Sequence, residues 1–150
     1  MDAALPARLA RDPAFAAALA AGPVVWIAAA LAFGVQPNPA WVLGDPLRYA
    51  SYALAWPVLE EWFFRGLIQP AAARTDWGAR EAWGVTTANV ATSLLFVAAH
   101  LPSHPPVWAA AMFVPSLVFG CFRDRYGSFA PSAALHVFYN SGWFLVIAPL

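Results

Sequence analysis

Three long stretches of this chain contain no charged residue, and they constrain the fold more than any other feature. They are Phe15–Gly44, Val85–Phe122 and Tyr126–Leu150, and each is longer than the roughly 18 apolar residues that a membrane-spanning helix needs. Only 11% of the residues are charged and 61% are hydrophobic, whereas about one quarter of a soluble domain is charged. The sequence therefore predicts an integral membrane protein.

The apolar stretches predict helices. Only α-helices and closed barrels satisfy every backbone polar group inside a bilayer, and the stretches lack the alternation that barrel strands show. We predict an all-α fold, a polytopic transmembrane helix bundle of about five spans, in a single domain over residues 1–150. Residues 1–13 are predicted to form an interfacial segment. The predicted spans are Phe15–Val35, Tyr49–Ala72, Ala82–Leu101, Val107–Phe122 and Pro131–Ile147. The predicted turns and loops are Gln36–Pro39, Thr75–Glu81, Leu101–Pro106 and Arg123–Gly127.

The arginines outside the spans predict the orientation of the bundle. If successive loops lie on alternate sides of the membrane, only Arg48 lies on the opposite side from the other arginines outside the spans. The shared side holds Arg8, Arg11, Arg74, Arg80, Arg123 and Arg125. Because cytoplasmic loops are rich in Lys and Arg, we expect a cytoplasmic N-terminus and an external C-terminus. The formal net charge of zero gives no electrostatic reason to expect nucleic-acid binding.

The segment PVLEEWFFRG, residues 57–66, places Glu60, Glu61 and Arg65 inside the second predicted span. A charge at the bilayer centre costs about 2.5–3.5 kcal/mol on insertion scales, so these side chains need partners or a polar cavity. Glu61 and Arg65 are four residues apart and can pair on one helix face. Glu60 lies about 100° around the helix from Glu61. We therefore expect Glu60 to be the carboxylate that is available for acid–base chemistry.

Two further predicted spans carry histidines. Phe96 and His100 are four residues apart in the third span, and His136 and Asn140 have the same spacing in the fifth. One site shared with Glu60 explains these polar groups better than separate hydrogen bonds between helices do. The weaker polar residues are interpreted as interhelical hydrogen-bonding groups, and they are Ser51, Thr86, Thr87, Asn89, Thr92, Ser93, Ser116, Ser132 and Ser141.

The residue types leave two chemistries open. A nucleophilic triad is disfavoured, because no serine is placed beside a base and Cys121 adjoins a charged loop. A zinc site built from Glu60, His100 and His136 is one option, although an HExxH motif is absent. The other option is direct activation of water by Glu60 and His100, with His136 and Asn140 donating hydrogen bonds to the developing oxyanion.

Three short motifs resemble those of a known family. EEWFFR (Glu60–Arg65) fits EExxxR, FVAAH (Phe96–His100) fits FxxxH, and HVFYN (His136–Asn140) fits HxxxN. In this order, on separate apolar helices, they resemble the CPBP family of intramembrane glutamic endopeptidases. That family includes the Ras-converting CAAX prenyl protease and the bacterial Abi-type bacteriocin-processing proteases. The resemblance covers residues 49–145, which would form a minimal catalytic core.

The resemblance implies a metal-independent protease that needs no cofactor. It implies that Glu60 and His100 activate water and that His136 and Asn140 form the oxyanion hole. The residues expected in supporting roles are Glu61, Arg65 and Phe96. The implied substrate is a membrane-anchored protein or peptide, cut near its C-terminus in the bacterial inner membrane. Short relatives that cut C-terminal sorting tails, of the JDVT-CTERM or myxosortase type, are an attractive subtype.

Two alternatives stand beside this interpretation. The same residues could form a zinc-dependent membrane protease. A non-catalytic immunity protein, or a transporter that uses Glu60 and the histidines as a proton relay, belongs to a different class. Such a transporter would be small, and the sequence shows no obvious inverted repeat.

Overall fold

The computed structural model describes residues 4–35 and 37–147, and most of these residues are helical. The all-α prediction is confirmed. The helices are α1 Leu5–Ala10, α2 Pro13–Phe33, α3 Trp41–Gly44, α4 Pro46–Ala50, α5 Trp56–Phe63, α6 Gln69–Ala73, α7 Thr87–His100, α8 Pro106–Ala111, α9 Phe113–Tyr126 and α10 Ala130–Val146. Two five-residue π-helical turns, Ser51–Ala55 and Phe64–Ile68, precede and follow α5. The two short strands are β1 Glu81–Ala82 and β2 Val85–Thr86.

Two helical segments of the described chain are long and apolar enough to cross a membrane. They are Pro13–Phe33, with a mean hydropathy of 2.0, and Pro106–Tyr126, with a mean hydropathy of 1.4. Thr87–His100 is apolar but shorter. The total of about five spans stays a prediction. Gln36 of the predicted turn lies outside the described residues, as do residues 1–3 of the predicted interfacial segment and residues 148–150.

The start of the predicted third span, Ala82–Leu101, is wrong. Residues 81–86 form an antiparallel hairpin of β1 and β2, and α7 begins only at Thr87. Trp83 and Gly84 form the two-residue turn with φ angles of 54° and 78°. Two positive φ angles are what the common hairpin turns of this length require, and Gly84 adopts its angle without steric cost.

The predicted loop at Arg123–Gly127 is also largely wrong, because α9 continues to Tyr126. Gly127 ends the helix with a φ of 65°, as glycine commonly does. The charged residues remain helical because they have partners. The Nε atom of Arg123 donates to the carbonyl oxygen of Arg65 at 2.7 Å, and the Asp124 carboxylate accepts two hydrogen bonds.

The chain divides into two compact units. The first unit comprises Met1–Pro57 and Leu135–Leu150, and the second comprises Val58–Ala134. His136 and Asn140 therefore belong to the first unit, whereas the EEWFFR motif and His100 belong to the second. The prediction of one domain over residues 1–150 stays a prediction.

In the first unit, α10 packs against α2 through aromatic rings. The ring centroids of Trp26 and Phe138 lie 5.1 Å apart. Gly142 leaves the space that the Trp26 indole fills, because a Cβ atom there would overlap the ring. The Tyr139 hydroxyl donates a hydrogen bond of 2.8 Å to the carbonyl oxygen of Ala18. Apolar contact and one buried polar end together hold this helix in place.

In the second unit, α7 and α9 approach closely at Gly120. A Cβ atom on Gly120 would overlap the carboxamide of Asn89, so only glycine permits this packing. The Asn89 amide donates to the Leu117 carbonyl oxygen at 3.0 Å. The Ser132 hydroxyl, on the part of α10 in this unit, donates to the Phe119 carbonyl oxygen at 2.7 Å. The interpretation of Asn89 and Ser132 as interhelical hydrogen-bonding groups is confirmed.

A second chain of hydrogen bonds joins α6, α9 and the hairpin. The amide nitrogen of Gln69, which is fully buried, donates to the Gly120 carbonyl oxygen at 3.0 Å and to Asp124 Oδ1 at 2.7 Å. The Thr86 hydroxyl donates to Asp124 Oδ2 at 2.7 Å. The Thr86 hydroxyl oxygen also accepts from the backbone N–H of Asn89 and so caps α7. The start of α7 is therefore fixed relative to α9.

Candidate active site

Glu61 and Arg65 form the ion pair that their spacing predicts. Arg65 Nη1 lies 3.0 Å from Glu61 Oε1, and both side chains are fully buried. Arg65 Nη2 donates to the Ser116 carbonyl oxygen at 2.8 Å and also to the Ser116 hydroxyl. The guanidinium carbon lies 4.9 Å from the ring centroid of Phe96 and 5.6 Å from that of Phe119. An apolar helix can keep these charges because each is paired and hydrogen-bonded.

Glu60 has a different environment from its neighbour Glu61. Its Oε1 atom lies 3.9 Å from Nε2 of His100, and the two side chains are 27% and 14% exposed, respectively. This separation is too long for a direct hydrogen bond. One water molecule can bridge it, since a water at about 2.8 Å from each atom fits between them. The pair can therefore share a water that reaches it from outside the protein.

The backbone fixes the orientation of the His100 ring. Nδ1 of His100 lies 2.7 Å from the carbonyl oxygen of Phe96. A carbonyl oxygen can only accept, so Nδ1 carries the hydrogen and donates it, and the other ring nitrogen faces Glu60. The Phe96 ring is 2% exposed, and its centroid lies 4.4 Å from that of the imidazole. Phe96 therefore contacts His100 through both its carbonyl group and its ring.

His136 and Asn140 lie one turn apart on α10 in the first unit. His136 is buried, with 7% of its surface exposed, and Asn140 is half-buried. The Asn140 amide nitrogen donates a hydrogen bond of 3.1 Å to the carbonyl oxygen of Tyr52. A carboxamide nitrogen carries two hydrogens, so Asn140 keeps one donor in addition to this bond.

The family comparison decides the identity of the chain. The family model of the type II CAAX prenyl endopeptidase Rce1-like proteins matches residues 41–142, which is more than half of the chain. The chain belongs to this family. It is therefore a CAAX-type intramembrane protease, a hydrolase that is embedded in the membrane and acts on a membrane-associated peptide substrate. No curated protein and no solved structure matches the chain.

The Rce1-like match includes every candidate site residue that the motifs predict. In the second unit, the structure brings Glu60 to His100, and it brings Arg65 to both Glu61 and Phe96. The roles of these residues, and those of His136 and Asn140, stay predictions. Within residues 4–35 and 37–147, no group of three or more His, Cys, Asp or Glu side chains is arranged to hold a metal ion.

His104 lies close to the pair without belonging to any of the three motifs. It is exposed and follows α7, as the predicted Leu101–Pro106 loop requires. Its ring centroid lies 5.6 Å from that of His100, and its Nδ1 atom lies 3.1 Å from the Ser103 hydroxyl. His104 is therefore a second histidine near His100, and it can serve as a matched control.

Sequence reasoning missed Arg123 of α9 in this Rce1-like protease, whereas its interpretation of Ser116 as an interhelical hydrogen-bonding group is confirmed. Ser116 and Arg123 both bond to Arg65, through its guanidinium and its carbonyl oxygen respectively. The two residues are seven positions apart, so they lie on one face of a helix. Two polar residues at this spacing in a mostly apolar segment are the sequence signal that could have predicted these contacts. The π-helical turns were also missed, and the prolines at positions 57 and 70 mark their ends.

Proposed function

We propose that this protein is a glutamic intramembrane endopeptidase in which Glu60 and His100 activate a water molecule. The separation of 3.9 Å between Glu60 Oε1 and His100 Nε2 is the observation that carries the proposal. It leaves room for one water between two groups that can both accept its protons. Their partial exposure gives water access, unlike the buried neighbour Glu61.

The proposed reaction begins with the loss of a proton from this water. Glu60 takes the proton as the general base. Nε2 of His100 accepts a hydrogen bond from the same water and so orients a lone pair of the water oxygen toward the substrate. The oxygen attacks the carbonyl carbon of the scissile peptide bond and gives a tetrahedral oxyanion. Glu60 then delivers the proton to the leaving nitrogen, the C–N bond breaks, and a carboxylic acid and an amine are released.

We assign stabilisation of the oxyanion to His136 and Asn140, on the basis of the HxxxN motif and the family match. The second N–H of the Asn140 amide, beyond its bond to Tyr52, is the donor that this role needs. Removing one oxyanion donor in other hydrolases costs about 10²–10³-fold in kcat. The assigned roles therefore predict large losses of kcat for changes at Asn140.

Cleavage by the purified protein tests the water-activation proposal. The probe is an internally quenched peptide with a farnesylated cysteine three residues before its C-terminus, and its unprenylated, membrane-anchored counterpart is tested in parallel. We expect His100→Ala to lower kcat by about 10²–10⁴-fold, the usual contribution of general acid–base groups. His104→Ala is the matched control and should keep wild-type activity. Full activity in folded His100→Ala would refute the proposal.

Chelation separates the glutamic mechanism from the zinc-dependent alternative. The proposed mechanism predicts unchanged cleavage after dialysis against EDTA and after later addition of Zn²⁺. Loss of activity on chelation with recovery on Zn²⁺ addition would instead favour the alternative in which Glu60, His100 and His136 bind the metal.

We further propose a multi-pass protein of the bacterial inner membrane with a cytoplasmic N-terminus and an external C-terminus. The distribution of arginines supports this topology. The substrate we propose is a membrane-anchored protein or peptide cut near its C-terminus, and a sorting tail of the JDVT-CTERM or myxosortase type is one candidate. Fusion of alkaline phosphatase or of a green fluorescent protein to the C-terminus tests the topology, because the first is active only outside. A fluorescent fusion with inactive phosphatase would contradict it.

A further inference from the structure

A proline lies two residues after the last residue of each π-helical turn, and it affects the hydrogen bonding of both turns. The first turn closes with the N–H of Trp56 on the carbonyl oxygen of Ser51, and the next residue is Pro57. The second closes with the N–H of Gln69 on the carbonyl oxygen of Phe64, and the next residue is Pro70. Isolated π-helical turns are rare in proteins, but those that occur are often found at functional sites.

Each proline removes the N–H that would continue the wide hydrogen-bond register. In that register, the N–H of residue 57 would bond to the carbonyl oxygen of Tyr52, five residues earlier. The N–H of residue 70 would likewise bond to the carbonyl oxygen of Arg65. Proline has no N–H, so the helix itself leaves both carbonyl oxygens open.

A side chain from another helix of the same unit donates to each of these two carbonyl oxygens. In the first unit, the Asn140 amide donates to Tyr52 at 3.1 Å. In the second unit, Nε of Arg123 donates to Arg65 at 2.7 Å. The same arrangement of π-helical turn, proline, open carbonyl and side-chain donor thus occurs twice in one chain.

The bond to Tyr52 determines which way the Asn140 carboxamide points. An asparagine side chain can present either its oxygen or its nitrogen to a partner. A carbonyl oxygen only accepts, so the nitrogen must face Tyr52, and one of its two hydrogens is used there. The direction of the second hydrogen is then fixed, because the amide group is planar. A donor held in advance in this way needs no reorganisation when an oxyanion forms.

We propose that Pro57 is a positioning residue for the oxyanion donor: by leaving the Tyr52 carbonyl open, it orients the Asn140 carboxamide. The catalytic meaning of this orientation rests on the proposed function, whereas the hydrogen bond does not. Pro57 lies three residues before Glu60 along the chain.

The chain contains only three asparagines, Asn38, Asn89 and Asn140, which makes the orientation directly measurable. Protein labelled with ¹⁵N in the asparagine side chains gives three carboxamide signals in detergent micelles, and Asn140→Asp identifies the one of interest. In the wild-type protein, we expect one of the two Asn140 amide protons to be shifted downfield and to exchange more slowly than its partner. Asn140 protons whose shift difference and exchange rates match those of the exposed Asn38 would overturn the proposal even if no variant folded.

Pro57→Ala supplies the missing N–H, which competes with Asn140 for the Tyr52 carbonyl. We expect the difference between the two Asn140 protons to diminish, while the signals of Asn38 and Asn89 stay in place. Pro70→Ala is the matched control, because it makes the same change at the second π-helical turn and should not move the Asn140 signals. Unchanged Asn140 signals in folded Pro57→Ala would overturn the proposal.

Kinetics with the quenched peptide connect the orientation to catalysis. We expect Pro57→Ala to lower kcat about tenfold with little change in KM, a part of the loss that follows removal of an oxyanion donor. We expect no marked fall in the melting temperature, because alanine is more favourable than proline inside a helix. A mainly structural role for Pro57 would lower the melting temperature and leave the kcat of the folded fraction unchanged. If the Asn140 signals shift but no variant or wild-type protein cleaves the peptide, the orientation stands and the proposed function fails.

Discussion

Two neighbouring glutamates of this protein occupy opposite environments. Glu61 belongs to a buried cluster with Arg65, Ser116 and Phe96, in which the ion pair is fully buried and measures 3.0 Å. Glu60 belongs to an accessible pair with His100, in which both side chains are partly exposed and Glu60 Oε1 lies 3.9 Å from His100 Nε2. Adjacent positions on one helix therefore carry a fully buried carboxylate and a carboxylate that is accessible to water.

The two glutamates of the EExxxR motif meet different physical requirements. A charge buried in an apolar helix must be neutralised, and the buried cluster does this with an ion pair and two hydrogen bonds from Arg65 to Ser116. A general base must instead exchange protons with water. The accessible pair meets that demand because both side chains are partly exposed and Glu60 Oε1 lies 3.9 Å from His100 Nε2.

The largest expected effect on stability comes from breaking the buried cluster. Arg65→Ala leaves the carboxylate of Glu61 buried without its counter-charge, and removal of one partner of such a pair costs about 3–5 kcal/mol in the free energy of unfolding. Denaturant unfolding in detergent measures this cost. Arg74→Ala, at an exposed arginine, is the control and should stay within about 0.5 kcal/mol of wild type. Equal stability of the two variants would show that the cluster is not structural.

The next effect tests Asn140, the proposed oxyanion donor. Asn140→Ala should lower kcat by about 10²–10³-fold, equivalent to about 2.7–4 kcal/mol of transition-state stabilisation, with little change in KM. The exposed Asn38 provides the control variant Asn38→Ala, which should keep full activity. A loss confined to KM would indicate that Asn140 binds substrate and does not stabilise the oxyanion.

A smaller effect comes from the packing that holds α7, which carries His100, against α9. Gly120→Ala forces a Cβ atom into the Asn89 carboxamide, and such overpacking costs about 1–3 kcal/mol. Since His100 ends α7, we also expect a measurable fall in kcat. Gly44→Ala, where a Cβ atom has open space, should change neither property. Tolerance of Gly120→Ala would show that the accessible pair does not depend on this helix contact.

The smallest expected effect is that of replacing Ser116. Ser116→Ala removes the hydroxyl partner of Arg65 but keeps the carbonyl partner, so it should cost about 1 kcal/mol of stability. We expect no change in kcat, because Ser116 belongs to the buried cluster alone. Thermal unfolding and peptide cleavage on the same sample test both statements. A fall in kcat at unchanged stability would link the cluster to catalysis.

The sequence predicted the helical class and the Glu61–Arg65 pair because both depend on local rules. Uncharged apolar runs indicate helices in a membrane, and a spacing of four residues places two side chains on one helix face. The family was also predicted correctly from the three motifs. These features need no knowledge of which helices are neighbours.

The remaining contacts depend on the tertiary arrangement, which local patterns do not specify. The Arg123–Gly127 segment reads as a polar loop until Arg123 and Asp124 are seen to bond to residues 58 and 55 positions earlier in the chain. The hairpin at residues 81–86 was hidden because its strands have only two residues each. The π-helical turns leave almost no trace in composition, and only Pro57 and Pro70 mark them.

If Glu60 performs the chemistry and Glu61 supports the structure, as we propose, the paired variants Glu60→Gln and Glu61→Gln should have different effects. Cleavage of the quenched peptide and thermal unfolding are measured on both purified proteins. We predict that Glu60→Gln keeps a melting temperature near that of wild type but loses cleavage by about 10²–10⁴-fold, whereas Glu61→Gln is markedly less stable. Retained cleavage in Glu60→Gln, or equal losses of stability in both variants, would contradict the account.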